Sequence, residues 1–101
     1  MAQGRQRFKL PDLEINLEEK CRLYAEGRGA LFFKFTVPGN PGAPDRLLLH
    51  KGKVIFVEMK RKGGKPSEVQ LAWHKVLRTR GYQVEIVDDF GAFSNLLGSV
   101  K

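Results

Sequence analysis

Glu58 and Lys60 stand one residue apart in Val54 to Lys60, a run rich in β-branched and aromatic residues that reads as a strand. Side chains alternate along a strand, so Glu58 and Lys60 share one face and Met59 points to the other. His50-Lys51-Gly52-Lys53 is a short connection between this run and Leu47 to Leu49, which predicts a hairpin. If the chain turns about Lys51-Gly52, His50 pairs with Lys53 and, stepping outward, Asp45 falls opposite Glu58. Opposed residues have Cβ atoms about 5 Å apart, so two carboxylates would face each other on one side of the sheet. A divalent cation removes their repulsion, and Mg²⁺ or Mn²⁺ suits one or two carboxylates with several waters retained. The inference depends on register, since a slip of one residue sends Asp45 to the opposite face. The competing reading has Asp45 opening a turn after Pro44 while Glu58 and Lys60 form an ion pair on a solvated edge.

The elements that must hold these residues follow from hydrophobic spacing. Leu17, Cys21, Tyr24 and Ala25 recur at helical intervals, Asn16 with Glu19 resembles a capping box, and Gly27 and Gly29 stop the helix. Leu31 to Val37 reads as a strand with one side fully buried, on which Lys34 is the oddity. Pro38 to Pro44 has three prolines besides two glycines and must be a rigid loop. Arg61 to Pro66 is a basic glycine-containing loop, after which Ser67 and Gln70 make a second capping box. The helix they open runs to about Arg80, with Val69, Ala72, Trp73, Val76 and Leu77 as its apolar stripe and Trp73 in the core. Tyr82 to Val87 is a last strand, and Asp88 or Asp89 caps a terminal helix whose Phe90, Phe93, Leu96 and Leu97 form one stripe, able to cap the core or to form an interface. The expected fold is a single α/β domain over residues 1–101, ordered α-β-β-β-α-β-α around a central mixed sheet, with residues 1–10 as a basic arm carrying Arg5, Arg7 and Lys9.

The chain has 101 residues, with eighteen Lys and Arg against eleven Asp and Glu, a net charge of +7 that favours a polyanionic partner. One cysteine, Cys21, excludes an internal disulfide and suits a reducing compartment. No run approaches the roughly 18 apolar residues of a membrane helix, and Met1 to Lys9 lacks a signal peptide's apolar segment. A cytoplasmic protein without membrane contact is expected.

Three segments in order, PGNPGAPDR (Pro38 to Arg46), VEMK (Val57 to Lys60) and SEVQLAW (Ser67 to Trp73), resemble the virus-type replication-repair nuclease domain, VRR-NUC, of the PD-(D/E)XK nuclease superfamily. The resemblance runs from about Leu17 to Val87. It implies that Asp45 fills the PD half-motif and Glu58 with Lys60 the (D/E)XK half, and that the backbone oxygen of Met59 is a further metal ligand. It implies a helical glutamate as well, which Glu18 fits best, three residues before Cys21 and eleven before Gly29; Glu14 and Glu19 are rivals, and Glu19 could equally complete a cap. Gln70 matches the family's glutamine near the catalytic lysine, although the capping box also accounts for it. Lys34 matches a family lysine and is otherwise a lysine at the sheet edge.

The implied activity is Mg²⁺- or Mn²⁺-dependent hydrolysis of phosphodiesters in DNA. Free-standing members of the family resemble phage or prophage enzymes that act as homodimers on branched DNA, four-way junctions above all, which for a phage-encoded chain places it in the host cytoplasm. Arg46, Arg61, Lys62 and Lys65, with Lys34, are the expected DNA contacts; the Gly63-Gly64 turn either approaches a phosphate backbone or is only a turn. His50 and His74 have no second zinc-type ligand at suitable spacing and read as structural or solvated. A restriction-type, sequence-specific endonuclease with the same site and a non-catalytic nucleic-acid-binding module are the alternatives.

Overall fold

Asn16 accepts the backbone N–H of Glu19 and starts helix α1, Leu17–Gly27, as its type and position predict. A computed structural model describes residues 16–101; the basic arm and Glu14 lie outside them. After α1 come β1 (Leu31–Lys34), β2 (Arg46–His50), β3 (Lys53–Met59), α2 (Glu68–Thr79), β4 (Gln83–Val87) and α3 (Phe90–Ser99). The fold is α/β, in the order α-β-β-β-α-β-α.

The four strands form one mixed sheet in the order β1-β2-β3-β4, antiparallel except for the parallel β3–β4 pair. Lys51 and Gly52 both have positive φ, 54° and 78°, the conformation of a type I′ hairpin turn. That turn sets the expected register: His50 pairs with Lys53, and Arg46 with Val57.

One sheet face lies under α1 and α3. Phe32, Leu48, Ile55 and Val57 pack there against Cys21 and Ala25 of α1 and Phe93 and Leu97 of α3. Phe90 and Leu96 pack on the same cluster, so the terminal stripe closes the core of its own chain. Burial raises the Cys21 thiol to about 12, which keeps it protonated.

The second face is covered differently from the expected pattern. The apolar stripe of α2 is not a core stripe: Val69 and Val76 are exposed, Trp73 is only partly buried, and the buried residue of that helix is His74. The reason lies in the β1–β2 connection. Gly42 is buried against Val69 and Trp73, where a Cβ would collide with both side chains, so α2 rests partly on the Pro38–Pro44 loop. β1 is also shorter than expected. Phe32 is its buried residue, Leu31 and Phe33 are exposed, and Lys34 stands exposed at its end. No helix among the described residues is long and apolar enough to cross a membrane.

Candidate active site

The hairpin register carries Asp45 to the end of β3, just beyond the last paired residue, where its Oδ1 accepts the Met59 N–H at 3.1 Å. Asp45 and Glu58 therefore flank the same strand end. Glu58 is almost completely buried, while the Asp45 side chain is about two-fifths exposed. Lys60, the next residue on that face, brings Nζ to 4.0 Å from Glu58 Oε2. Its backbone N–H continues the parallel pairing by donating to Val87 O at 2.9 Å.

Burial, reinforced by the Asp45 carboxylate and opposed by Lys60 and Arg46, raises the Glu58 carboxyl to about 7. Gln70 Nε2 donates to Glu58 Oε2 at 3.2 Å, and Gln70 is itself fixed by the Ser67 capping box. One Gln70 side chain thus closes the cap and meets Glu58. Glu58 Oε1 is buried with no hydrogen-bond partner among the described residues.

A divalent cation fits this donor set. Two carboxylates repel each other and one of them is held above its ordinary range; a dication beside them reverses both. Among the described residues, no three His, Cys, Asp or Glu side chains gather closely enough to hold an ion by themselves. The set therefore suits a cation that takes two carboxylates, a backbone carbonyl and water, not one that demands a full cage of side chains.

Glu18 approaches from α1. Its Oε2 lies 3.1 Å from Arg46 Nη2, and Glu18, Met59 and Lys60 together line a cleft of about 560 Å³ with Arg61 and Lys62. Glu19 is turned away: its carboxylate pairs with Arg22 and does not close a capping box, so Glu18 alone of the two faces the cleft.

Arg46 departs from its expected place among DNA contacts. It is 7 % exposed, its Nη1 donates to the Asp45 backbone oxygen at 2.9 Å and lies 3.7 Å from Asp45 Oδ2, and its Nη2 meets Glu18. The register explains this, because Arg46 lies opposite Val57 on the face turned to α1. Arg61, Lys62 and Lys65 are exposed in the β3–α2 loop, which is tied to the β4–α3 turn by Lys62 Nζ to Asp89 Oδ2 at 2.7 Å and by the Gly63 N–H to Asp88 Oδ2 at 3.1 Å.

His74 is the residue that spacing did not single out. It lies four residues after Gln70, one helical turn on, and its Nε2 is 3.6 Å from Glu58 Oε1. Burial, with the charges of Arg78 and Lys60, holds its imidazole below the usual range, so the contact is one of a neutral ring and not of an ion pair. The available signal was the i, i+4 relation to Gln70, which the Trp73 stripe obscured.

No family model matches the sequence. Over 61 residues, 59% of the chain, it is 48% identical to "Putative nuclease p44" of Acyrthosiphon pisum secondary endosymbiont phage 1, and the match spans 66% of that protein, just under two thirds of its length. Among solved structures, a "VRR_NUC domain" superposes with a TM-score of 0.68 at 34% sequence identity, over 83% of this chain and 97% of that one.

Proposed function

The chain belongs to the VRR_NUC family of nuclease domains, and from that membership and the Asp45, Glu58 and Lys60 cluster we propose that it is a metal-dependent endonuclease that cuts branched DNA as a homodimer. The observation that carries the reading is the pair of carboxylates at one strand end, with Glu58 buried and held above its ordinary pKa range although Lys60 lies 4.0 Å away.

Asp45, Glu58 and the backbone oxygen of Met59 would hold Mg²⁺ or Mn²⁺, with Glu18 reaching it directly or through water. Bound there, the cation would supply Lewis acidity toward the scissile phosphate and would position and acidify the attacking water. The chain's own residues do the rest. Gln70 donates to Glu58 and so favours its charged, ligating form. Lys60 Nζ lies where it can orient that water or offset charge growing on the phosphate. Exposed Lys34, Arg61, Lys62 and Lys65 offer cations to the DNA backbone without reading bases, in keeping with recognition by shape. Arg46 serves from within, pairing with Glu18 on one side and Asp45 on the other.

Two copies would supply two active sites for paired cuts at a four-way junction, and the apolar residues left open on the second sheet face support association of this kind.

Asp45→Ala or Glu58→Ala should abolish cleavage of four-way, flap and linear DNAs at saturating Mg²⁺ while leaving DNA binding intact or stronger, because each removes a ligand and a negative charge. Cleavage at near the wild-type rate by either variant under excess enzyme would show that the site is assigned wrongly.

A further inference from the structure

The Glu58 carboxylate is held from behind by one helix. Gln70 and His74, four residues apart, project from the same side of α2 toward its two oxygens. The orientation of Gln70 is decided by the cap: its Oε1 accepts the Ser67 N–H at 2.8 Å, which leaves its NH₂ end to donate to Glu58 Oε2. The other oxygen, Oε1, faces His74 Nε2 at 3.6 Å, and neither atom has a hydrogen-bond partner among the described residues although both are buried.

That distance is slightly beyond a hydrogen bond, and an approach of roughly half an ångström would make one. The two possible tautomers are not equivalent. With the proton on Nδ1, the lone pair of Nε2 would be turned toward the lone pairs of a carboxylate oxygen; with the proton on Nε2, donor meets acceptor. A ring that only filled space would leave two buried polar atoms facing each other unpaired, and methionine or leucine at this position would remove only the ring's share of that cost.

We propose that His74 is a positioning residue for Glu58, its Nε2–H donating to Oε1 so that Gln70 and His74 together fix the plane of the carboxylate. The inference rests on the reading of Glu58 as a cation ligand. Residues that orient a ligand set affinity: their loss typically costs 10- to 100-fold in metal binding.

The test has two arms, both independent of cleavage. In the full chain with chelator well above pH 7, where Glu58 is charged, ¹⁵N NMR of the imidazole should show His74 protonated on Nε2 and bare on Nδ1, with its Nε2 signal moved by Glu58→Gln. In calorimetric Mn²⁺ titrations, His74→Met should lose about tenfold or more in affinity, and His74→Gln, which keeps an N–H donor at a similar reach, should recover most of it. A ring protonated on Nδ1, or a His74→Met protein that binds Mn²⁺ like the wild type, overturns the proposal. If His74→Met does not fold, the tautomer and the His74→Gln affinity decide, and a glutamine variant as weak as Glu58→Gln counts against it. A wild-type chain with the Nε2–H tautomer that binds no Mn²⁺ would overturn the metal-dependent reading while leaving the His74 to Glu58 contact in place.

Discussion

Glu58 combines an ionisable group with burial. In the metal-free chain its carboxyl is raised from 4.5 to about 7, so the folded state binds its proton more tightly than the unfolded one. The stability this group contributes is whole below about pH 4.5 and is lost as pH rises through about 7. The loss is on the order of 3 kcal/mol. Denaturant unfolding in chelator should therefore give a lower stability at pH 8 than at pH 5, with much of that fall absent in Glu58→Gln; equal falls in both proteins would mean that the carboxyl is not destabilised by its surroundings. Arg46 and the loop lysines make a second contrast at this scale, since the one is buried against acids and the others are exposed, Lys62 in a pair with Asp89 that phosphate would compete for. Lys62→Ala and Lys65→Ala should each reduce the slope of log affinity for DNA against log salt by about 1. Arg46→Met should leave that slope unchanged and cost on the order of 1 kcal/mol of stability through the lost Glu18 pair. A slope that falls with Arg46→Met would return that residue to the DNA surface.

Helix α2 and the loop before β2 act as one element. The loop presses buried Gly42 against Val69 and Trp73, and the same helix presents Gln70 and His74 to Glu58 one residue and one turn further on. Asp45, at the end of that loop, and Glu58 are thus referenced to a shared support. Gly42→Ala should force the two apart. The expected cost is about 1 to 3 kcal/mol of stability, typical of overpacking, together with weakened Mn²⁺ binding, because the Asp45 side of the site moves relative to Glu58. An alanine variant with unchanged denaturation midpoint and metal affinity would show that the loop and helix yield without consequence.

The molecule as a whole covers its two sheet faces unequally. The α1 and α3 face is closed, while on the other Leu31, Phe33, Val54 and Tyr82 remain between about 40 and 53 % exposed. Register places the first three on one surface with Leu47, Leu49 and Phe56, and the Tyr82 ring stacks edge-on to Phe56 at 5.9 Å. For the proposed homodimer this is the surface we expect to be shared, in place of the terminal helix, whose apolar residues are spent on the core. Light scattering at micromolar concentration should give a mass near twice 11.4 kDa. Leu31→Lys with Phe33→Lys should halve it without unfolding the chain, since both positions are already exposed. A double variant that remains dimeric would move the interface elsewhere, and a monomeric wild type that leaves four-way junctions intact would remove the junction-resolving part of the proposal.

Local rules were enough for much of this. The Lys51-Gly52 turn has one favoured conformation, and the turn sets the register; alternation then brings Asp45, Glu58 and Lys60 to one strand end, as their spacing predicts. Caps at Asn16, Ser67 and Asp89 began the three helices where their residue types indicated. What only the tertiary structure decided is which side of each element meets something. The stripe on α2 is a local pattern, but its burial depends on what the fold packs against it; Gly42 of the Pro38–Pro44 loop meets Val69 and Trp73 there, while Trp73 is only partly buried and His74 enclosed. Arg46 belongs to the same class. Its charge suggested a surface role, but strand alternation turned it toward α1, and a guanidinium so enclosed needs the acids that the fold supplies at Glu18 and Asp45.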